Sequence, residues 1–543
     1  MNHISLIRAK RLLQKSQYSE ALTVLETLVK TQPTSEVLSL LAETYFSCGK
    51  YADAIIIFEK LVQKHPNNAQ YLNNLGVALE ANRDLCAALD IYSQLAINNP
   101  DYQPAHYHLG NLLQRTGDLT QAKVVYESAL KKFADHIGIL NNLAIIYLAQ
   151  GNVLQAIQLL SHATLCSPTH FDSWLNCGYA YYRNNDFGNA QLCYARASQL
   201  SPRSSLLYNN LGLLYLAMGD HNSARNAYLF AISLEPGYSE ARHNLGLLAL
   251  EEFKFSEGWE GYQHRPSRRQ QNVGVTSFNS IDLFRKSPLL VVAEQGIGDE
   301  FFYMRFFVKV KEMGLNVKYF TQSLAFEPLK RMLGNLVINV KVDAPNQQTL
   351  LLGDLPYVLG MSNLEDIPPA FPLTADPTIY AKIKMEMSKY PKPWVGITWR
   401  AGSIGINQLS KTIPLRQLIH IFQRFKGSLF ILQRLPSEDE LNIISNLRLQ
   451  CTIVDKSSCN VDLEVMLALL ALLDDYIAVS NTNVHLRNGL GLPSKVLVPW
   501  PPEWRWGNEL AASPWFRHCS VYRENKDKQW VNTIEQLENT LAW

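Results

Sequence analysis

The chain has 543 residues, yet it lacks paired cysteines, a dominant charge and any long apolar run. Fifty basic side chains against 48 acidic ones leave a net charge of +2. So balanced a chain exerts no bulk pull on nucleic acid or on acidic membranes. The eight cysteines are scattered, with no Cys-x-x-Cys. That argues against a disulfide framework or a zinc ribbon and for a reducing compartment, so a cytoplasmic location is expected. The longest aliphatic run, Val465–Leu473, has about half the length that a membrane span requires. It ends at Asp474 and Asp475 and reads as a buried helix. The opening segment MNHISLIRAKRLLQ is amphipathic and lacks the apolar core of a secretory leader. What the chain does have is 47% apolar residues and 18% charged ones, enough for large cores. At roughly 150 residues per domain, two or three globular units are expected.

The first half is periodic. Pro66, Pro100, Pro168, Pro202 and Pro236 fall at multiples of 34, with Ala134 in the missing place and Pro33 one residue out of phase. Ala54, Ala88, Ala122, Ala156, Ala190 and Ala224 share that period. So do the small residues Ala42, Gly76, Gly110, Ala144, Gly178, Gly212 and Gly246, and the large ones Phe58, Tyr92, Tyr126, Leu160, Tyr194 and Tyr228. Two helices per repeat would pack closely where the small residue sits. The large residue would fill the space between repeats, and proline would end the second helix. Period, small residues, aromatics and proline together resemble the tetratricopeptide repeat, over roughly residues 2–250. The resemblance implies a helical solenoid with an inner groove for peptides. Asn74, Asn142, Asn176, Asn210 and Asn244 share one register of it, broken by His108. An amide both donates and accepts, so a row of them suits an extended backbone whatever its side chains. This resembles the asparagine ladder of the protein O-GlcNAc transferases and implies a protein or peptide acceptor. Satisfying the neighbouring repeat is the alternative role.

The array runs into a segment in which Trp259 and Tyr262 are placed to cap its apolar end. Pro266–Ser280 shows no helix or strand pattern. With Arg265, Arg268 and Arg269 it reads as a solvated linker, or as a means of holding a phosphate. Residues 1–264 are thus expected to form the repeat array with its cap, and 265–286 the linker. Residues 287–385 and 386–543 would form two further lobes.

From Ser287 short apolar strands alternate with helices. They are expected at Leu289–Ala293, Asn316–Phe320 and Leu336–Val342. After the proline-rich stretch Pro368–Pro393 they resume at Trp394–Trp399, Ser428–Gln433, Cys451–Val454, Tyr476–Ser480 and Lys495–Pro499. Such alternation means parallel sheets covered by helices, with ligands beyond the carboxyl ends of the strands. Four motifs follow strands: Gly296-Ile-Gly298-Asp299; Trp399-Arg400; Lys411-Thr-Ile-Pro414 after Ser410; and His485-Leu-Arg-Asn-Gly489. In this order they resemble the heptosyltransferase-related glycosyltransferases of the family 9 type. The ending, from Pro499-Trp500 through Trp504, Trp506 and Trp515, resembles a bacterial subgroup with tetratricopeptide repeats fused in front.

That resemblance implies an α/β double Rossmann architecture of the GT-B kind behind the α-helical solenoid. It implies sugar transfer from a nucleotide-diphosphate sugar, with no metal and no cofactor beyond the donor substrate. In keeping with this, Asp-x-Asp, the manganese signature of the other major glycosyltransferase fold, is absent from the sequence. Asp299 matches the acid assigned as general base, and it would also suit a helix N-terminus. Lys411 matches the phosphate-binding lysine. Gly296 and Gly298 would permit a tight turn close to ligand. Arg400, Gln433, Ser480, Asn481, Thr482 and His485 are further donor-binding candidates, with Asp455 beside them as a strand-end polar residue. The family carries Asp-Thr-Gly before its His-Leu; here the acid is missing and the spacing is shorter. The donor sugar therefore stays open, as does the alternative of a weakened transferase that serves as a protein-binding scaffold. Glu503 and Arg505 are expected to pair with each other, and the tryptophans to pin the C-terminal segment to another lobe. A homodimer is an open option for such arrays.

Overall fold

The computed structural model describes residues 2–271, 280–284, 287–341, 346–401, 411–446, 449–507 and 512–541. Ser410 and the side chain of Arg269 lie outside the described residues. The chain forms two compact units, Met1–Pro202 and Arg203–Trp543.

The first unit is a run of antiparallel helix pairs, from Asn2–Gln14 to Phe187–Leu200. Each pair turns on a residue with left-handed backbone: Ser16 in the first and then, recurring every 34 residues, Gly49, Arg83, Gly117, Gly151 and Asn185 in this unit. Glycine reaches this conformation without strain, and asparagine tolerates it. In Asp84, Asp118 and Asp186 the next residue caps the second helix, its carboxylate accepting from the backbone N–H three residues on. The small-residue register works differently from the expected backbone approach. A Cβ on Gly76 would lie 2.5 Å from the Tyr92 ring, and one on Gly178 2.5 Å from the Tyr194 ring. The glycine makes room for the tyrosine of its own repeat. Alanine stands instead where the partner is Phe58 or Leu160.

The second unit opens with helices Ser205–Ala217, His221–Leu234, Ser239–Glu251 and Phe255–Tyr262. Gly246 is the one member of the register, among the described residues, that meets backbone: its Cβ would lie 2.7 Å from the Cα of Gly261. Two parallel sheets follow. The first contains β1 (Leu289–Val292), β2 (Val317–Phe320), β3 (Val337–Ile338) and β4 (Gln348–Leu351), in the order β3-β2-β1-β4. The second contains β5 (Trp394–Thr398), β6 (Ser428–Ile431), β7 (Thr452–Asp455), β8 (Asp475–Val479), β9 (Ser494–Val498) and β10 (Cys519–Arg523). Its order, β10-β9-β8-β5-β6-β7, is that of a doubly wound parallel sheet. The direction in which strands are added to the sheet therefore reverses between β5 and β8 there, and between β1 and β4 in the first sheet, while all strands stay parallel.

Two strands were not legible in the sequence. β4 carries Gln348 and Thr349 at its polar start, and β10 lies behind the tryptophan-rich segment. Strand β3 is shorter than the Leu336–Val342 span because it is an edge strand whose chain turns polar at Asn339. The aliphatic run becomes the buried helix Leu463–Leu472. The expected solvated linker needs correction at its start, residues 272–279 and 285–286 of it lying outside the described residues. Pro266–Gln270 is a short helix, and Arg265 is 1% exposed, its guanidinium paired with Glu294 and Asp354. These two acids lie just beyond the ends of β1 and β4, so Arg265 fills the crossover point of the first sheet. Trp259, Phe302, Trp504 and Trp515 pack edge to face in the core that joins the helical cap to both sheets. Trp500 donates from its indole to the Ala217 carbonyl. The tryptophans thus do pin the C-terminal segment.

Candidate functional site

At the crossover point of the second sheet, Ser480 follows β8 and Lys411 lies in the connection after β5. The Lys411 ammonium stands 2.5 Å from the Glu503 carboxylate, and Ser480 Oγ donates to the same carboxylate oxygen at 3.4 Å. Arg505 bonds the other oxygen of Glu503, and through Nη2 it reaches Asp299 at 2.5 Å. Asp299 sits in the first turn of the helix Ile297–Glu312, which follows β1 of the other sheet. A continuous chain of charge, Asp299–Arg505–Glu503–Lys411, therefore links the carboxyl ends of the two sheets. Arg505 also lies over the Phe302 and Trp504 rings, 4.4 and 4.8 Å from their centroids.

The electrostatics follow from burial and pairing. Burial opposes the charge on Glu503, but Lys411 and Arg505 outweigh it and hold the carboxyl far below its usual range. Burial likewise opposes the charge on Arg505, and Glu503 and Asp299 reverse the balance, so its guanidinium is held more firmly charged. His485 lies beside them in the helix Thr482–Gly489 and is pushed well below the ordinary imidazole range, by burial first and then by Arg505. Its Nδ1 is buried with no hydrogen-bond partner among the described residues. The two helix starts nearly touch: a Cβ on Gly298 would lie 3.2 Å from the His485 ring and 3.4 Å from the Thr482 Cα. Gly298 is thus required for close approach. The left-handed residue of this strand-to-helix turn is Gln295, at φ 63°.

Asp299 does cap its helix, accepting from the Gly296 N–H at 3.3 Å, while its second oxygen faces Arg505. Asn481 caps the helix Thr482–Gly489 by accepting from the Val484 N–H at 3.1 Å. Arg400 and Gln433 stand apart from the charge chain. Gln433 accepts from the backbone N–H groups of Trp399 and Arg400, at 3.2 and 3.0 Å. The Arg400 side chain pairs with Glu440, whose carboxyl is pushed down to about 2; burial opposes that shift, and the bonds from Arg400 and Trp399 overcome it. Asp455 ends β7, and its carboxylate accepts from the Ser457 N–H. Glu503 and Arg505 pair as expected, but their extension to Lys411 and Asp299 went unseen. The available signal was two opposite charges set among four tryptophans, where burial demands partners. A cavity of about 470 Å³ is lined by Gln322, Ser323 and Asn339 from the first sheet's rim and Asp462 and Glu464 from the second's, and takes in no residue of the charge chain.

In the helical part, the asparagine register is used between repeats. Asn176 donates to Asn141 at 3.1 Å and Asn244 to Asn209 at 2.8 Å. Asn142 likewise donates to Asn111, whereas Asn74 accepts from Gln70 of its own helix at 2.9 Å. Asn210 is half-buried at the same register.

Tetratricopeptide-repeat family models match residues 12–75 and 115–176, and a second one matches 171–204 and 206–238. The helical pairs are tetratricopeptide repeats. Protein FlbA of Caulobacter vibrioides is 25% identical over 325 residues, which is 53% of this chain and 52% of FlbA. The chain therefore spans about half the length of this curated relative. Among solved structures, a tetratricopeptide-repeat protein of Parabacteroides merdae is 18% identical, covering 46% of this chain and 98% of its own, with a TM-score of 0.37. YrrB, a tetratricopeptide protein with an unusual peptide-binding site, is 19% identical over 34% of this chain and 96% of its own, with a TM-score of 0.31. MamA is 26% identical over 29% of this chain and 91% of its own, with a TM-score of 0.26.

Proposed function

We propose that the two-sheet region is a glycosyltransferase of the GT-B kind, which moves a sugar from a nucleotide-diphosphate sugar to a protein recruited by the tetratricopeptide repeats. The observation that carries this reading is the convergence of Asp299 from one sheet with Lys411 and Ser480 at the crossover point of the other. Ligands of doubly wound sheets bind at such crossover points. Asp299 would take the proton of the acceptor hydroxyl. The freed oxygen pair would attack the anomeric carbon as its bond to the diphosphate oxygen breaks. The nucleoside diphosphate would leave with that electron pair, which inverts the centre. Lys411, Arg505 and the N–H groups at the start of the helix Thr482–Gly489 would meet the growing negative charge. The asparagine register would serve acceptor backbone once its repeat-to-repeat bonds are exchanged.

A second reading has its own support. The two cations are already neutralised by Asp299 and Glu503. A chain in which this pairing is permanent would be a scaffold that binds proteins through its repeats. Release of nucleoside diphosphate from nucleotide sugars separates the two. The transferase reading expects slow release by the wild type, and Asp299→Asn to lose it while still binding nucleotide. Equal release by both proteins would remove Asp299 from the chemistry. Absence of release with any donor and acceptor extract would favour the scaffold.

A further inference from the structure

A cluster on the repeat array lies outside everything above. His162 and Cys166 stand four residues apart on the helix Val153–Cys166 and so share one face. Asp135 comes from the loop before the preceding helix, Ile137–Ala149. His162 Nε2 is 2.8 Å from Asp135 Oδ1, Cys166 Sγ is 3.5 Å from that oxygen, and Cys166 Sγ is 3.5 Å from His162 Nε2. One nitrogen, one sulfur and one oxygen thus converge within 4.8 Å of one another.

We infer that Asp135, His162 and Cys166 form a binding site for a divalent transition metal of the zinc class. Tetrahedral bonds of about 2.0–2.3 Å set neighbouring ligand atoms roughly 3.3–3.8 Å apart. The two sulfur edges already have that length, and the nitrogen–oxygen edge needs to open by only about half an ångström. All three side chains are exposed, so this adjustment meets no packing. The donor set selects the metal: imidazole and thiolate suit zinc, cobalt and nickel, whereas calcium and magnesium require oxygen shells. With three protein ligands the fourth position faces solvent, open to water or to a side chain of a bound partner. Occupancy would join the loop carrying Asp135 to the end of the helix Val153–Cys166.

The test is a titration of the reduced full-length chain with cobalt(II), read by absorption. The expected result is one equivalent bound with a thiolate-to-cobalt charge-transfer band and the intense d–d bands of a tetrahedral ion, displaced by zinc. Cys166→Ser should abolish the charge-transfer band. His162→Gln and Asp135→Asn should each weaken binding by about 100-fold or more, beyond the 10- to 100-fold known for outer-shell changes. Far-ultraviolet circular dichroism of the metal-free variants should match the wild type, since the side chains are exposed. No charge-transfer band in the wild type, or a band undiminished in Cys166→Ser, would overturn the site.

Discussion

Glu503→Gln preserves shape and removes one negative charge from the chain that joins the two sheets. Lys411, Arg505 and Asp299 then carry a net +1 in place of zero. An anion seated against Lys411 would lie about 4 Å from the position of the lost charge. Unit charges at that distance repel by about 1 kcal/mol in water and about 4 kcal/mol at an effective dielectric of 20. Lys411 is 33% exposed and Glu503 14% exposed, so the site lies between those limits. A gain of about 2 kcal/mol, or about 30-fold in affinity, is expected. The probe is inorganic pyrophosphate, which carries the diphosphate charge and no base or sugar. Isothermal titration calorimetry at one fixed ionic strength compares the wild type, Glu503→Gln and Lys411→Ala. Arg505 keeps Asp299 and Lys411 can hydrate, so Glu503→Gln should remain folded at a cost of about 1–3 kcal/mol. Equal pyrophosphate affinity in the wild type and a folded Glu503→Gln would refute the claim that this carboxylate occupies a phosphate position.

Other consequences follow from particular contacts. Gly178→Ala should destabilise its hairpin by about 1 kcal/mol or more, because overpacking against Tyr194 outweighs the gain in helix propensity. Gly188→Ala, whose Cβ meets only Asp186 at 4.0 Å, should stabilise it by about 0.5 kcal/mol; amide exchange across residues 171–200 reads both, and equal signs would contradict the packing. His485 is neutral when folded, and the unfolded chain takes up its proton below about pH 6.5, so stability should fall as pH drops through that point. His485→Asn should flatten that fall in thermal melts between pH 7 and 5 (roughly the imidazole range). Arg265→Met takes from Glu294 and Asp354, each 1% exposed, the guanidinium they share, leaves Asp354 with Arg268 at 3.6 Å, and should cost about 3–5 kcal/mol. Neutralising both acids as well should recover much of that loss of melting temperature, and no recovery would mean that the arginine acts through packing.

The repeats were legible because their signal is redundant: proline, alanine, small and large residues each mark the same 34-residue period. The sheets were legible wherever strands are mostly apolar, as in β1, β5, β6 and β8. What escaped depends on distant partners. Arg265 looked like a linker charge because its partners Glu294 and Asp354 lie 29 and 89 residues away, as 294 − 265 and 354 − 265 give. Arg400 and Lys411 both follow β5, yet only Lys411 enters the charge chain, because Glu440 captures Arg400. The turn register at positions 49, 83, 117, 151, 185, 219 and 253 was hidden in the sequence, since Arg83, Asn185 and Phe253 interrupt its glycines.

The central claim is that the crossover point of the second sheet holds a nucleoside diphosphate. It is tested most directly by thermal shift and calorimetry of the full-length chain with UDP, GDP, ADP, CDP and dTDP and their sugars. A ligand bound only by the folded state must raise the melting temperature. One nucleotide family should stabilise the wild type, and Lys411→Ala should abolish the effect. Failure of every nucleotide to bind a folded wild type at millimolar concentration would contradict it.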